Sequence, residues 1–456
     1  MPGKLNLNRV SMPKREPEIR KGDFNEVALG YAEEQAMEEA NRCLQCKKPL
    51  CKTGCPASID IPELIAAVCE RNMAEAVRIL RSKNVLPGTT ARVCPQEVLC
   101  EVKCVLGKKG APISIGALQR YVADWEFVNQ ALIPKPERAA STGKKVAIIG
   151  SGPAGLTVAY YLAKLGHGVT VFEALPELGG MMRVGIPTYR LPREILTYEL
   201  SYLESIGMDI RTNTRVESLD KLFSDGYQAI FLGLGAHKGI RMGVEGEEGP
   251  GVIEGVYFLR DVSLGQKVEL GDKVAVIGGG NVAIDSARTA LRLSTEEVTI
   301  IYRRTQVEMP AGSKEVDEAS EEGVNIIFLA VPSKVTREKG LVDLECIRME
   351  LGEPDESGRR RPIPIKGSEF RMQFNTVIAA IGQRPDIPTG FALQVGRGNR
   401  LEVDTDTLAT SREGVFAGGD VVTGPALVID AMASGRKAAE SIDKYLGGKG
   451  DIQGGG

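Results

Sequence analysis

Along this chain the spacing of apolar positions changes near residue 145. Between residues 24 and 82 apolar side chains recur every three or four positions, as in IPELIAAVCERNMAEAVRIL from Ile61 to Leu80. That period predicts amphipathic helices, here interrupted by cysteine-bearing loops. The stretch IPKPERAASTGKK, 133 to 145, is polar, basic and proline-containing, and reads as a linker. From Val146 onward the pattern becomes short continuous apolar runs: VAIIG, VTVFEA, AIFLGLG, KVAVIGGG, VTIIYRR and TVIAAIG. Such runs, alternating with helical patterns, predict parallel, doubly wound sheets. A strand running into a glycine-rich turn occurs at 146–155 and again at 274–283, an internal duplication. The expected fold is α/β, with two doubly wound dinucleotide-binding domains preceded by an α-helical domain. The tail GGKGDIQGGG reads as a frayed terminus.

Composition narrows the function. The net charge of -3 and pI of about 5.8 provide no overall basic field for nucleic acid or an anionic membrane. No run approaches the roughly 18 apolar residues of a spanning helix, and the first 30 residues lack a signal-peptide core. A cytoplasmic protein without nucleic-acid or membrane partners is expected. Eight of nine cysteines lie between Cys43 and Cys104. In a reducing compartment such crowding points to metal binding, not disulfides. The two histidines, His167 and His237, are remote from it. Seven cysteines, Cys43, Cys46, Cys51, Cys55, Cys94, Cys100 and Cys104, have the short spacings of iron-sulfur ligands. Two cubanes need about eight ligands, so one position falls to another residue or to Cys69. Four-cysteine zinc sites are the alternative, but seven thiolates tile poorly into them. Cys69 lies in a helical pattern and reads as a buried structural thiol, Cys346 as a core residue of a strand, and Arg359-Arg360-Arg361 as a solvated hairpin turn, with a docking patch as the alternative.

Each glycine turn has the context of a dinucleotide site. After the strand Val146 to Ile149 comes Gly150-Ser-Gly152-Pro153-Ala154-Gly155, opening a helix. These glycines serve a tight turn, close approach of a pyrophosphate, and helix-strand packing. The following strand ends in Glu173, placed to accept from ribose hydroxyls. The second turn, Gly278-Gly-Gly280-Asn281-Val282-Ala283, is followed by a strand that ends in Arg303-Arg304 instead of an acid. Guanidiniums there favour a 2'-phosphate, hence NADPH over NADH. FAD in the first site and NADPH in the second are expected. The loop with Gly179, Gly180 and Gly185 would lie against the flavin ring, and Gly419-Asp420 forms a late glycine turn with an acid.

These motifs resemble the two-domain flavoprotein reductases over residues 145 to 446. That resemblance implies Asp420 on the FAD ribityl chain, linking strands at Ala229–Ala236 and Thr376–Gln383, and a split FAD domain (141–270 and 375–456) around an NADPH domain (271–374). No cysteine lies in 174–200, where disulfide reductases carry a redox pair, so electrons must leave by another route. With residues 1–140 as a cluster domain, the chain resembles the small subunit of NADPH-dependent glutamate synthase. It also resembles the large subunit of bifurcating ferredoxin:NADP reductase and the N-terminal half of dihydropyrimidine dehydrogenase. The resemblance implies one 4Fe-4S cluster on Cys43, Cys46, Cys51 and Cys104, and a second on Cys55, Cys94, Cys100 and Gln119, the last from Ile115-Gly-Ala-Leu-Gln119. It also implies hydride transfer from NADPH to FAD, then single electrons to the clusters, with no protein acid or base required. The partner would be a larger glutamate-forming subunit or, alternatively, a ferredoxin-reductase-like subunit; a non-catalytic relay subunit is the rival of another class.

Overall fold

Helical periodicity in the first third becomes a helical domain. In the computed structural model, which describes residues 6–293 and 295–452, helices α1 (Glu33–Ala40), α2 (Ile61–Cys69), α3 (Met73–Lys83), α4 (Pro87–Val93) and α5 (Ile115–Val128) surround a core containing Leu64, Leu80, Leu118 and Val122, all fully buried. The run from Ile61 to Leu80 is two helices. Arg71 takes a left-handed backbone (φ 57°), and the side chain of Asn72 then caps α3 by accepting the Glu75 N–H at 3.3 Å. Residues 133–144 carry neither helix nor strand.

Beyond them lie two five-stranded sheets of the same design. The first consists of β1 (Lys145–Ile149), β2 (Gly168–Phe172), β3 (Asp209–Arg211), β4 (Ala229–Leu232) and a late strand, β16 (Val415–Ala417), in the parallel order β16-β4-β1-β2-β3. Helices α6 (Pro153–Lys164) and α7 (Arg193–Glu204) belong to this unit. The chain then passes through β5 (Lys238–Gly239) into the second unit: β6 (Val252–Glu254), α8 (Gly255–Ser263), β7 (Lys273–Ile277), α9 (Asn281–Arg292), β8 (Glu297–Tyr302), α10 (Ser313–Glu321) and β9 (Asn325–Phe328). An antiparallel excursion, β10 (Ala330–Glu338), β11 (Leu341–Pro354), β12 (Arg360–Pro364) and β13 (Phe370–Phe374), precedes β14 (Thr376–Ala379). The second sheet runs β6-β14-β7-β8-β9, all parallel. Strands β1, β4, β7 and β14 are apolar almost throughout because both faces are covered.

This topology moves the expected boundaries. Strands β6 and β14 lie outside 271–374 yet complete the second sheet, and Phe258 and Leu259 of α8 are in its core. The runs expected to link the domains are core strands of one sheet each. The crossings themselves are β5 and β15 (Gln383–Arg384), which pair antiparallel with each other. A short apolar run identifies a buried strand but not the sheet it joins. At the C-terminus, α11 (Val428–Tyr445) packs on α6 so closely that a Cβ on Gly435 would stand 2.6 Å from the Ala154 carbonyl. The tail is also less frayed than expected: Ile452 is 2% exposed and the Gly450 N–H donates to the Asp443 carboxylate at 2.7 Å. Residues 453–456 lie outside the described residues.

An N-terminal strap binds the units together. Residues 14 and 28 form a bridge, the Val27 N–H donates to the Tyr189 carbonyl at 3.0 Å, and buried Arg20 reaches the second unit, with Nε 2.9 Å from Glu322 and Nη2 2.6 Å from Glu321. Glu322 also receives Arg288 (2.6 Å) and Arg292 (2.7 Å). Burial alone would raise its pKa, but the Arg288 and Arg292 guanidiniums outweigh it and hold the carboxyl at about 2.

Candidate functional site

The first fingerprint closes on backbone where only glycine fits. Gly150 has φ 99°, and a Cβ there would meet the Gly233 carbonyl at 2.4 Å; a Cβ on Gly155 would lie 2.0 Å from the Gly150 carbonyl. A Cβ on Gly152 meets nothing, so its face opens onto a cavity of about 400 Å³. Pro153 and Ala154 begin α6 at the wall of that cavity. Glu173 also lines it, and accepts from the Ser151 N–H (2.9 Å), the Ser151 hydroxyl (2.6 Å) and the Leu175 N–H (2.8 Å). The expected ribose acceptor therefore also holds the glycine turn in shape. Instead of an open loop, Gly180 leads into a helical turn, Met181–Val184, with Met182 and Val184 buried; Gly180, Met181, Met182 and Gly185 face the cavity. Gly179 donates to Ser151 and stands behind them. Gly419 (φ 71°) and Asp420 form the opposite wall. Burial, reinforced by Asp430 and opposed by the Ala426 N–H, raises the Asp420 carboxyl to about 6.

The second fingerprint opens onto the same cavity. Gly278 (φ 143°) presses against the Ala380 carbonyl, where a Cβ would be 2.3 Å away, whereas a Cβ on Gly280 meets nothing. Asn281 and Val282 line the cavity, and Ala283 packs fully buried where a third glycine is common. The two arginines diverge. In the bend that follows β8, Arg303 is exposed while Arg304 is 3% exposed and committed to the protein. Arg304 Nη2 is 2.6 Å from Asp355, and Nε donates to the Arg360 carbonyl at 2.7 Å. Arg304, expected beside the phosphate, is thus held by the protein itself, whereas Arg303 makes no hydrogen bond or ion pair among the described residues.

Sequence reasoning missed several cavity residues: Arg190, His237, Tyr257, Arg260, Asp285 and Gln383. Arg190 from the first unit pairs with Asp285 of the second at 2.6 Å. Asp285 Oδ1 and Gln383 Nε2 are buried without a hydrogen-bond partner among the described residues and are available to a bound group. His237 lowers its pKa through burial, opposed by Glu173. Being one of only two histidines was the sole sequence signal for it; Arg190 and Asp285 gave none.

The cysteines separate into two groups. Cys43, Cys46, Cys51 and Cys104 line one small cavity with Leu44, Ile61 and Ile113. Burial, with Cys104, Cys43 and Cys46 nearby, pushes the Cys51 thiol up to about 11. Cys94 is raised by burial, then by Cys55 and Asp430; Cys100 by burial, then by Glu101, Cys55 and Cys94. Cys55, Cys94 and Cys100 are thus mutual neighbours. Among the described residues no three Cys, His, Asp or Glu side chains converge as a single ion would need; the first four thiols instead surround a space. Thiols raised by burial become ligands by giving their protons to a metal centre. Gln119, 6% exposed, makes no side-chain hydrogen bond among the described residues. It lies one turn beyond Gly116, whose N–H donates to Glu101 of the Cys94–Cys104 segment. Cys69 is half-buried near Cys43, not buried as expected; Cys346 is fully buried in β11.

The second cysteine group adjoins the dinucleotide cavity. Val93 lines it, and Cys94 senses Asp430 on the first turn of α11. Two dinucleotide cradles facing one cavity, with a cysteine domain against its wall, define a flavin-type pyridine nucleotide oxidoreductase with an iron-sulfur domain. The family models agree: the 4Fe-4S domain of dihydropyrimidine dehydrogenase (domain II) matches residues 20–131, and pyridine nucleotide-disulphide oxidoreductase matches 106–224 and 144–435. The chain belongs to the pyridine nucleotide-disulphide oxidoreductase family, in the branch that carries this 4Fe-4S domain. FAD, NADP(H) and 4Fe-4S are the groups its domains take. It is 46% identical to the β subunit of NADP(+)-dependent formate dehydrogenase from Moorella thermoacetica (87% of this chain, 60% of that one). It is 42% identical to the β subunit of NADPH-Fe(3+) oxidoreductase from Geobacter sulfurreducens (87% and 63%), so it spans under two thirds of both. Against the glutamate synthase [NADPH] small chain of Escherichia coli it is 37% identical over 97% of this chain and 98% of that one. In fold it matches FprA from Mycobacterium tuberculosis, with a TM-score of 0.59 at 18% identity (67% of this chain, 85% of that one). No helix among the described residues is long and apolar enough to cross a membrane.

Proposed function

We propose that this chain is the NADPH-linked electron-transfer subunit of a larger oxidoreductase. Hydride would pass from NADPH to FAD in the shared cavity, and single electrons would then leave through two 4Fe-4S clusters. One observation carries the reading: the two fingerprints open onto one cavity whose wall includes Val93, next to Cys94. When bound, the flavin converts two-electron into one-electron chemistry and the clusters carry the single electrons. The protein's part is placement. Gly150, Gly152, Gly155, Glu173, Gly419 and Asp420 would hold FAD; Gly278, Gly280, Asn281, Val282, Ala283 and Arg303 would hold NADPH; Arg190 and Asp285 pin the two units around both. Cys55, Cys94, Cys100 and Gln119 would hold the inner cluster. Cys43, Cys46, Cys51 and Cys104 would hold the outer one, beside the exposed Leu44 and Leu50 and the exposed Lys47, Lys48, Lys103, Lys108 and Lys109. An acidic face on the acceptor subunit would complement that collar. The crowding of unpaired cysteines favours a reducing compartment such as the cytoplasm.

End-to-end coverage of the glutamate synthase small chain favours a glutamate-forming large subunit as acceptor. The higher identity to β subunits of other NADP(H)-linked complexes favours a second reading, the same module in a different assembly. Subunits that co-purify with the chain separate the two. The core reading is tested by anaerobic titration of the cofactor-loaded chain. NADPH is expected to bleach the flavin and cluster absorbance at far lower concentration than NADH. Equal response to both, or to neither, overturns it.

A further inference from the structure

We infer that Arg359, in the turn between β11 and β12, is the second guanidinium of the 2'-phosphate pocket, and that Arg304 is the positioning residue that brings it there. This rests on the NADPH reading above.

Strand β8 ends at the position where the adenosine 2'-substituent of a second-site dinucleotide lies. Of the two arginines that follow, Arg303 makes no hydrogen bond or ion pair among the described residues. Arg304 turns inward and clamps the hairpin at two points, the Asp355 carboxylate (2.6 Å) and the Arg360 carbonyl (2.7 Å). The turn is closed within itself. Asp355 N–H donates to the Arg359 carbonyl (2.8 Å), the Ser357 N–H donates to the Asp355 carboxylate (2.9 Å), and Gly358 takes φ 76°. A turn so closed and clamped fixes where residue 359 projects.

What projects is a guanidinium with unused donors. Arg359 Nε donates to the Ser357 hydroxyl at 3.0 Å, and its terminal nitrogens make no bond among the described residues. Arg359 stands close enough to Arg303 to be felt electrostatically, together with burial and Arg304. The carboxylate in this group, Asp355, is already occupied by Arg304 and Ser357. Two guanidiniums within electrostatic reach of each other repel, and an anion between them relieves the repulsion. A phosphate monoester dianion, with oxygens to accept from both, fits that need, whereas the 2'-hydroxyl of NADH does not.

The test is equilibrium binding of 2',5'-ADP, 5'-AMP, NADP+ and NAD+ to the full-length, cofactor-loaded chain by titration calorimetry. Flavin absorbance and thermal melting report the fold. Arg359→Ala is expected to weaken 2',5'-ADP and NADP+ about tenfold or more, the scale of one charge-assisted hydrogen bond, and to leave 5'-AMP and NAD+ unchanged. Arg359→Lys should recover part of the loss. Arg304→Lys keeps the charge but loses the fork, so it should weaken 2',5'-ADP as well, and combining it with Arg359→Ala should add little. If Arg359→Ala binds 2',5'-ADP like wild type while Arg303→Ala does not, the inference falls and the NADPH reading stands. If wild type binds NADP+ no better than NAD+, the NADPH reading itself falls.

Discussion

Glu199→Gln probes how the cysteine domain is fastened to the first dinucleotide domain. Glu199 lies on α7, 1% exposed, and accepts from the Gly88 N–H (2.5 Å), the Thr89 N–H (3.0 Å) and the Thr89 hydroxyl (2.5 Å). It caps the N-terminus of α4, the helix that ends at Cys94. Burial raises its pKa from 4.5 to about 7, against the pull of Thr89, Arg81 and Gly88. The unfolded chain releases this proton near 4.5 and the folded chain near 7. In that window the native state holds the extra proton, so stability falls as pH rises, by about 3 kcal/mol in all. Glutamine keeps a neutral side chain at every pH but replaces one acceptor oxygen by a donor, which costs about 1–3 kcal/mol. The variant should therefore be less stable than wild type at pH 5, and the gap should close or reverse by pH 8. Anaerobic urea unfolding of the loaded protein, followed by fluorescence of Trp125, the single tryptophan on α5, measures both curves. Parallel pH profiles for the two proteins would refute the burial argument.

Two further outcomes follow from distances given above. Gly155→Ala places a Cβ 2.0 Å from the Gly150 carbonyl, so the purified variant should retain little flavin, measured as the visible-to-ultraviolet absorbance ratio. Glu322→Gln leaves the guanidiniums of Arg20, Arg288 and Arg292 buried around an uncharged group, and thermal melting should show a loss of about 3–5 kcal/mol at neutral pH. Because the folded carboxyl titrates near 2, the stability it contributes is present above 4.5 and is lost as pH falls toward 2; the variant's deficit should shrink over that acid range.

Much of this molecule was legible because its strongest signals are local. A glycine turn that follows a buried strand and opens a helix constrains backbone within ten residues, so Gly150–Gly155 and Gly278–Ala283 could be read directly. Cysteine spacing likewise named the candidate thiols, four of which, Cys43, Cys46, Cys51 and Cys104, line one cavity. What was lost depends on contacts far apart in sequence. The sheet that β14 joins is decided by its pairing with β7, and that of β6 by its pairing with β14, not by their own residues. Arg304 looked like its neighbour until Asp355, fifty-one residues on, took it inward. The Arg190–Asp285 pair has no sequence signature, since each side chain has meaning only once the two units face one another.

The position of β16 has a consequence for the order in which the protein can be built. The cluster-bearing helices are complete by residue 128, and the second sheet by residue 379. The first sheet still has an open edge along β4 until residues 415–417 leave the ribosome, and Gly419 and Asp420 follow only then. The inserted domain therefore has all its strands before its host does, and the dinucleotide cavity is walled on that side only once residues 415–420 have been made. The cysteine helices precede that step by nearly three hundred residues and have time to fold first.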